Sequence, residues 1–153
     1  VYPGGFIVDG GVHITAVIHD LFGEIAGISA STARVNPDAG LIDTMLLSFT
    51  THTGVRGSIH MLYSSKGLRA NTLAIHGDRG TLVVDNYAST ITTFIPGSEP
   101  VTEAVDSERG YVGEYDNFFR AVRHGEPVVS TLEKAYRDFY VLVKAMEAGE
   151  KGG

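Results

Sequence analysis

The chain has no cysteine. That excludes a disulfide framework, a thiolate nucleophile and any zinc site built on thiolates, and it suits a cytoplasmic protein. Positive charge is scarce as well. Twelve Lys and Arg stand against eighteen Asp and Glu, a formal net charge of −6. An acidic domain with no basic patch among its aromatics is a poor partner for phosphate backbones, so nucleic acid is not expected. No apolar run reaches the roughly eighteen residues that cross a bilayer, and no signal peptide opens the chain, so no membrane association is expected. No G-x-G-x-x-G turn links a strand to a helix, and no G-x-S-x-G elbow occurs. Internal repeats and low-complexity tracts are also missing.

What is present describes one globular domain. The 153 residues are 43% hydrophobic and 20% charged, enough to bury a core without staples. The chain opens at Val1, not Met, inside the Gly/Pro-rich stretch Val1-Tyr2-Pro3-Gly4-Gly5, as an excerpt from a longer protein would.

Periodicity orders the elements. A helix is predicted from Phe6 to Phe22, stopped by Gly23, with Ile7, Gly11, Ile14, Ile18, Leu21 and Phe22 on one face. Asp9, His13, Ala16 and Asp20 form a narrow stripe on the opposite side, and apolar residues flank both. Strands follow at Ile25–Val35, Asp43–Thr51, Val55–Ser65, Thr72–His76, Thr81–Asn86 and Thr90–Ile95, with a further one at Val101–Val105. His52-Thr53-Gly54 and Gly77-Asp78-Arg79-Gly80 read as hairpin turns. The second is not a phosphate loop, because it joins two strands. Tyr115, Phe118, Phe119 and Val122 make a helical stripe closed by Gly125 and Pro127. Ser130 and Glu133 have capping-box spacing ahead of a last helix that Gly149 should stop. The expected class is α+β: a largely antiparallel open β-sheet with helices packed on one face.

Asp9 and His13 carry the sharpest chemical signal. Four apart on a helix, they are neighbours on its surface. Imidazole can move a proton near neutral pH, and a nearby carboxylate can orient it. On a mostly apolar helix, such a stripe needs partners or a cavity to face. The same spacing also serves a purely structural contact, or two ligands of a metal site. No second His/Asp/Glu cluster suggests the remaining ligands, so no metal is expected. His52, His60, His76 and His124 read as surface or locally satisfied histidines.

Gly4-Gly5-Phe6-Ile7-Val8-Asp9-Gly10-Gly11-Val12-His13, then Leu21-Phe22-Gly23, resembles the second domain of the glucose–fructose oxidoreductase / inositol dehydrogenase / MocA (Gfo/Idh/MocA) family, with its Gly-Gly pair and Asp-x-Gly-x-His. Ile75-His76-Gly77-Asp78-Arg79-Gly80-Thr81-Leu82 is similar to the family's strand–turn–strand. So is the ending, with Glu114, Phe118-Phe119, Gly125-Glu126-Pro127 and a helix from Ser130. The resemblance spans essentially the whole chain. It departs at Ala16, where the family often has an acidic residue.

The resemblance implies that residues 1–153 are a C-terminal substrate-binding and oligomerisation domain, and that a nucleotide-binding Rossmann domain lies outside this chain. The parent would be an NAD(P)-dependent oxidoreductase acting on a CH–OH group of a sugar, polyol or related compound. His13 would exchange the proton at the substrate hydroxyl, Asp9 would hold that hydroxyl, and Gly11 would line the substrate position. The family's catalytic lysine lies in the first domain, so Lys66 is not assigned that role. The alternative is a stand-alone sugar-binding or oligomerisation module without catalysis. A homodimer or larger homo-oligomer through the outer sheet face is expected, with Ile59 or Met61 on that face. The 153-residue chain alone should be inactive and bind no NAD or NADP, since no Gly-rich turn leads into a helix N-terminus. Calorimetry on a homogeneous sample checks this, and micromolar cofactor binding would contradict it.

Overall fold

The computed structural model describes residues 4–39, 41–67, 69–105 and 110–151. Along the chain run α1 (Gly5–Phe22), β1 (Ile25–Ala33), a 3-10 turn at Pro37–Ala39, β2 (Thr44–Thr51), β3 (Arg56–Leu62), β4 (Thr72–Gly77), β5 (Gly80–Asp85), β6 (Thr90–Phe94), β7 (Val101–Ala104), α2 (Tyr111–His124) and α3 (Leu132–Lys151). All strand pairs among the described residues are antiparallel. The α+β class therefore holds. The strands form two open sheets, β1-β2-β3 and β4-β5-β6-β7. They belong to two compact units: residues up to Ser65 together with those from Ser130 onward, and Lys66–Val129.

In the first unit, alternation sorts the sheet into two faces. Met45, Leu47 and Phe49 of β2 and Ile59 and Met61 of β3 are buried. They form one core with Ile7, Val8 and Ile18 of α1 and Val141, Leu142 and Ala145 of α3. Ile59 and Met61 thus both point inward, not onto the outer face. Register explains this: Met45 pairs with Met61 and Leu47 with Ile59, so the larger apolar sets of both strands share one side. The outer face carries Leu46, Ser48, Ser58, His60 and Leu62, all exposed.

Three local expectations shift. By length and apolarity α1 could cross a bilayer, contrary to the reading of the sequence, yet its buried face packs in the core of this unit. Thr131, not Ser130, caps α3, its Oγ1 accepting from the Lys134 N–H at 3.3 Å. Nor does Gly149 stop the helix, which runs on to Lys151. Gly149 is buried, and a methyl group there would lie 2.7 Å from the Thr32 side chain, so close packing on β1 explains the residue.

Asp43 ties the strand ends together. Its buried carboxylate accepts from the Val35 N–H (2.9 Å), the Asn36 N–H (2.7 Å) and Thr44 Oγ1 (3.0 Å). Burial opposes ionisation, but these donors outweigh it and hold the group well below the usual carboxylate range. Its carbonyl accepts from the Tyr63 N–H at 3.0 Å, which fixes the backbone just past β3.

In the second unit, Gly77 pairs with Gly80 across the Asp78-Arg79 loop, which confirms the hairpin. A side chain at Gly80 would overlap the Phe94 carbonyl. Helix α2 ends at Gly125 in the left-handed region (φ 68°), as expected. Its stripe of Tyr115, Phe118, Phe119 and Val122 is exposed, with Tyr115 at 72%. Helical spacing locates apolar side chains on a common face; it does not supply what covers them.

Candidate functional site

The face that α1 shows to solvent is decided by what it buries. Ile7, Val8, Gly11, Thr15, Ile18 and His19 point inward. Apolar spacing alone put Leu21 there, yet Leu21 is exposed and the polar Thr15 and His19 are buried. The reason is pairing. Thr15 Oγ1 donates to the Asp138 carbonyl of α3 at 3.1 Å, and His19 Nδ1 lies 2.5 Å from the Asp138 carboxylate. Arg137 donates to that same carboxylate oxygen from Nε (3.1 Å) and Nη2 (3.0 Å). A buried polar group with a partner is tolerated where an unpaired one is not. The sequence reading missed His19; its place one turn past Thr15, on the stripe that begins at Ile7, was the available signal.

Gly11 lies within that seam. A methyl group there would come 2.8 Å and 2.9 Å from the two Cδ atoms of Leu142 and 3.2 Å from Met61 Sδ. In this position Gly11 serves the close approach of α1 to α3 and β3. Asp9 and His13 lie on the other side and are exposed, outside the core as their stripe requires. Among the described residues no side-chain hydrogen bond or ion pair engages either one.

Tyr63 was missed as a site residue. Its alternation groups it with Ile59 and Met61, but β3 ends at Leu62. Past that point the side chain leaves the sheet and reaches α1, where its hydroxyl occupies the volume that any side chain at Gly10 would need. Its ring also neighbours that of Phe6, with centroids 6.0 Å apart. Phe6, Asp9, Gly10 and His13 follow i, i+3, i+4, i+7 and share one helix face. Tyr63 therefore joins the Asp9/His13 surface.

Two depressions lie elsewhere in this unit. One, of about 630 Å³, is lined by Ser29, Ser48, Thr50, Arg56 and Ser58 on the sheet. The other, of about 430 Å³, is bordered by Ile28, Tyr140, Lys144 and Glu147 between β1 and α3. Asp9 and His13 line neither. Among the described residues no three His, Asp or Glu side chains converge on a metal-sized site.

The sequence model of the GFO/IDH/MocA C-terminal domain matches residues 2–83, which include α1 and all of the first sheet. The chain belongs to this family. An oxidoreductase from Thermotoga maritima is 26% identical with a TM-score of 0.82, and the match covers 95% of this chain and 43% of that one. The WlbA dehydrogenase from Bordetella pertussis, solved with NADH and UDP-GlcNAcA, is 18% identical with a TM-score of 0.80, covering 99% and 44%. Levoglucosan dehydrogenase, solved with NADH and levoglucosan, is 16% identical with a TM-score of 0.82, covering 93% and 47%. These last two show the shared fold. The chain spans about half the length of such neighbours. No relative among curated protein sequences matches it.

Within this Gfo/Idh/MocA domain, the tight seam makes Gly11 a sensitive position. Gly11→Ala should destabilise by about 1–3 kcal/mol through overpacking, even though Ala favours a helix. Denaturant unfolding measures this, and an unchanged or raised midpoint would show that the seam has slack.

Proposed function

We propose that this chain is the substrate-side domain of an NAD(P)-dependent oxidoreductase acting on a CH–OH group of a sugar, polyol or related compound. The observation that carries the reading is the placement of Asp9 and His13. They sit together on the exposed face of a helix whose opposite face is locked into the core, inside the segment that matches the family. Asp9 accepts a hydrogen bond from a substrate hydroxyl next to the reacting one and so orients the substrate. His13 takes the hydroxyl proton as the alcohol is oxidised and returns it in the reverse direction. Gly11 contributes by letting α1 lie close against α3, which fixes the pitch of the Asp9/His13 face.

The sheets of this chain are antiparallel throughout the described residues, unlike the βαβ unit that cradles a pyrophosphate. The cofactor is accordingly assigned to a separate nucleotide-binding domain, where bound NAD(P) supplies the hydride chemistry. The neighbours solved with NADH support this division. It also accounts for a site that is an open helix face: the second wall comes from that other domain.

The test uses the full-length gene product. His13→Ala should lower kcat by about 10²–10⁴-fold, the usual worth of a positioned acid–base group, and Asp9→Asn should raise KM and lower kcat. Wild-type turnover in both variants would overturn the reading.

Oligomerisation through the first sheet belongs to the same proposal. Leu46 and Leu62, 45% and 53% exposed, interrupt an otherwise Ser/Thr-rich outer face, and a two-fold sheet-on-sheet contact would cover them. Light scattering should give a dimer that Leu46→Lys splits. A monomer near 16.4 kDa that does not change on concentration would refute it.

A further inference from the structure

We propose that the outer face of the first sheet is a pH-sensitive contact between two copies of this chain, and that protonation of His60 separates them. The proposal rests on the reading of this face as a dimer surface and names what regulates it. Apart from Leu46, the residues that β1 and β2 turn outward are Gly, Ala, Ser and Thr, while β3 turns out Arg56, Ser58, His60 and Leu62. Two features of that face fit a second copy. Leu46 and Leu62 stand exposed toward one end, and toward the other Gly27, Ser29, Ser48 and Ser58 help to line a hollow of about 630 Å³. Register sets this order: Leu46 lies opposite Ser31 and His60, and Ser48, the next outward position, lies opposite Ser29 and Ser58. A two-fold axis that reverses the strand direction seats the leucines of each copy over the hollow of the other. Knob and hollow on one surface make it self-complementary.

His60 lies where such a contact must cover it. It pairs across strands with Leu46 and precedes Leu62 by two residues on the same face, so a partner that buries both leucines buries the imidazole beside them. The groups around it are Ser58 and Leu62 on its own strand, Leu46 on β2 and, one strand further, Ser31 on β1. None of these can carry charge. Across β1, β2 and β3 the only charged or titratable residues are Arg56 and His60, and no Asp or Glu occurs. Glu24, Asp38, Asp43 and His52 lie outside the strands, and the Asp43 carboxylate is already engaged by backbone donors.

Symmetry makes this inventory decisive. An isologous contact presents the same surface twice, so each copy brings His60 and Arg56 and neither brings a carboxylate from its strands. A neutral imidazole can hydrogen-bond to the partner's hydroxyls. A protonated one is a covered charge that faces only hydroxyls and another cation, which disfavours the contact. Arg56 opens the edge strand β3; it reaches water at the rim and stays charged throughout, so it adds no pH dependence. The separated copy takes up the proton and the paired copy does not. Falling pH therefore draws the equilibrium toward single chains.

Sedimentation velocity over a concentration series, at about pH 7.5 and about pH 5.5, reads the dimer dissociation constant. Two imidazoles that titrate at about pH 6.5 when free and stay neutral when covered weaken a dimer by up to about a hundredfold over that interval. The wild type should lose at least about tenfold. His60→Gln keeps a hydrogen-bonding side chain without the titration and should hold its dimer at both pH values. His60→Lys carries charge throughout and should give single chains at both. Circular dichroism should show the same folded chain in every case. A wild-type dimer of unchanged affinity at the lower pH would overturn the switch. So would a His60→Gln chain that dissociates like the wild type, a His60→Lys chain that stays dimeric, or dissociation that coincides with unfolding. Single chains at both pH values, with Leu46→Lys of no effect, would overturn the dimer reading itself, and the switch with it.

Discussion

The buried contact between His19 and Asp138 sets the orientation of everything that follows. It joins α1 to α3 at 2.5 Å with both side chains inside the core, and Thr15 adds a second link to the same residue one turn earlier. Losing one partner of a buried pair costs about 3–5 kcal/mol, because the other is left without compensation. A rotation of α1 by even one residue position would break both links and drive Gly11 out of its contact with Leu142. With that angle fixed, Asp9 and His13 have only the outer face to occupy. The candidate site is thus a consequence of how the core is closed.

A second anchor supports the same face from the sheet. Asp43 gathers the end of β1, the start of β2 and the chain just past β3. Its carboxylate stays ionised there because several donors converge on it, despite burial. Through its carbonyl it also sets where Tyr63 leaves the sheet. One buried polar pair therefore aims the helix and one buried carboxylate aims the aromatic residue, which is how a largely apolar unit positions a polar surface.

Much of this was legible in the residues. The period of 3.6 gave α1 and its Gly23 stop, the period of two gave the strands, and the Gly-containing turns gave the hairpins. Asp9 and His13 stood out as polar residues on an apolar helix. What could not be read was any placement fixed by partners distant in sequence. Thr15 and His19 look like surface residues until Asp138, more than a hundred positions away, is brought beside them. Tyr63 alternates like a core residue, and only the end of β3 at Leu62 releases it. Gly149 looks like a helix stop because Thr32 is not yet in view. Which of two apolar sets faces inward, as for Ile59 and Met61, follows from register.

Family membership supplies the reaction class to be tested; the arrangement of α1 supplies the residues. The most direct measurement is a structure of the full-length gene product bound to cofactor and sugar. The account predicts a His13 ring nitrogen within about 2.6–3.2 Å of the hydroxyl on the reacting carbon, with Asp9 on an adjacent hydroxyl. A sugar bound away from α1, with His13 facing only solvent, would contradict it.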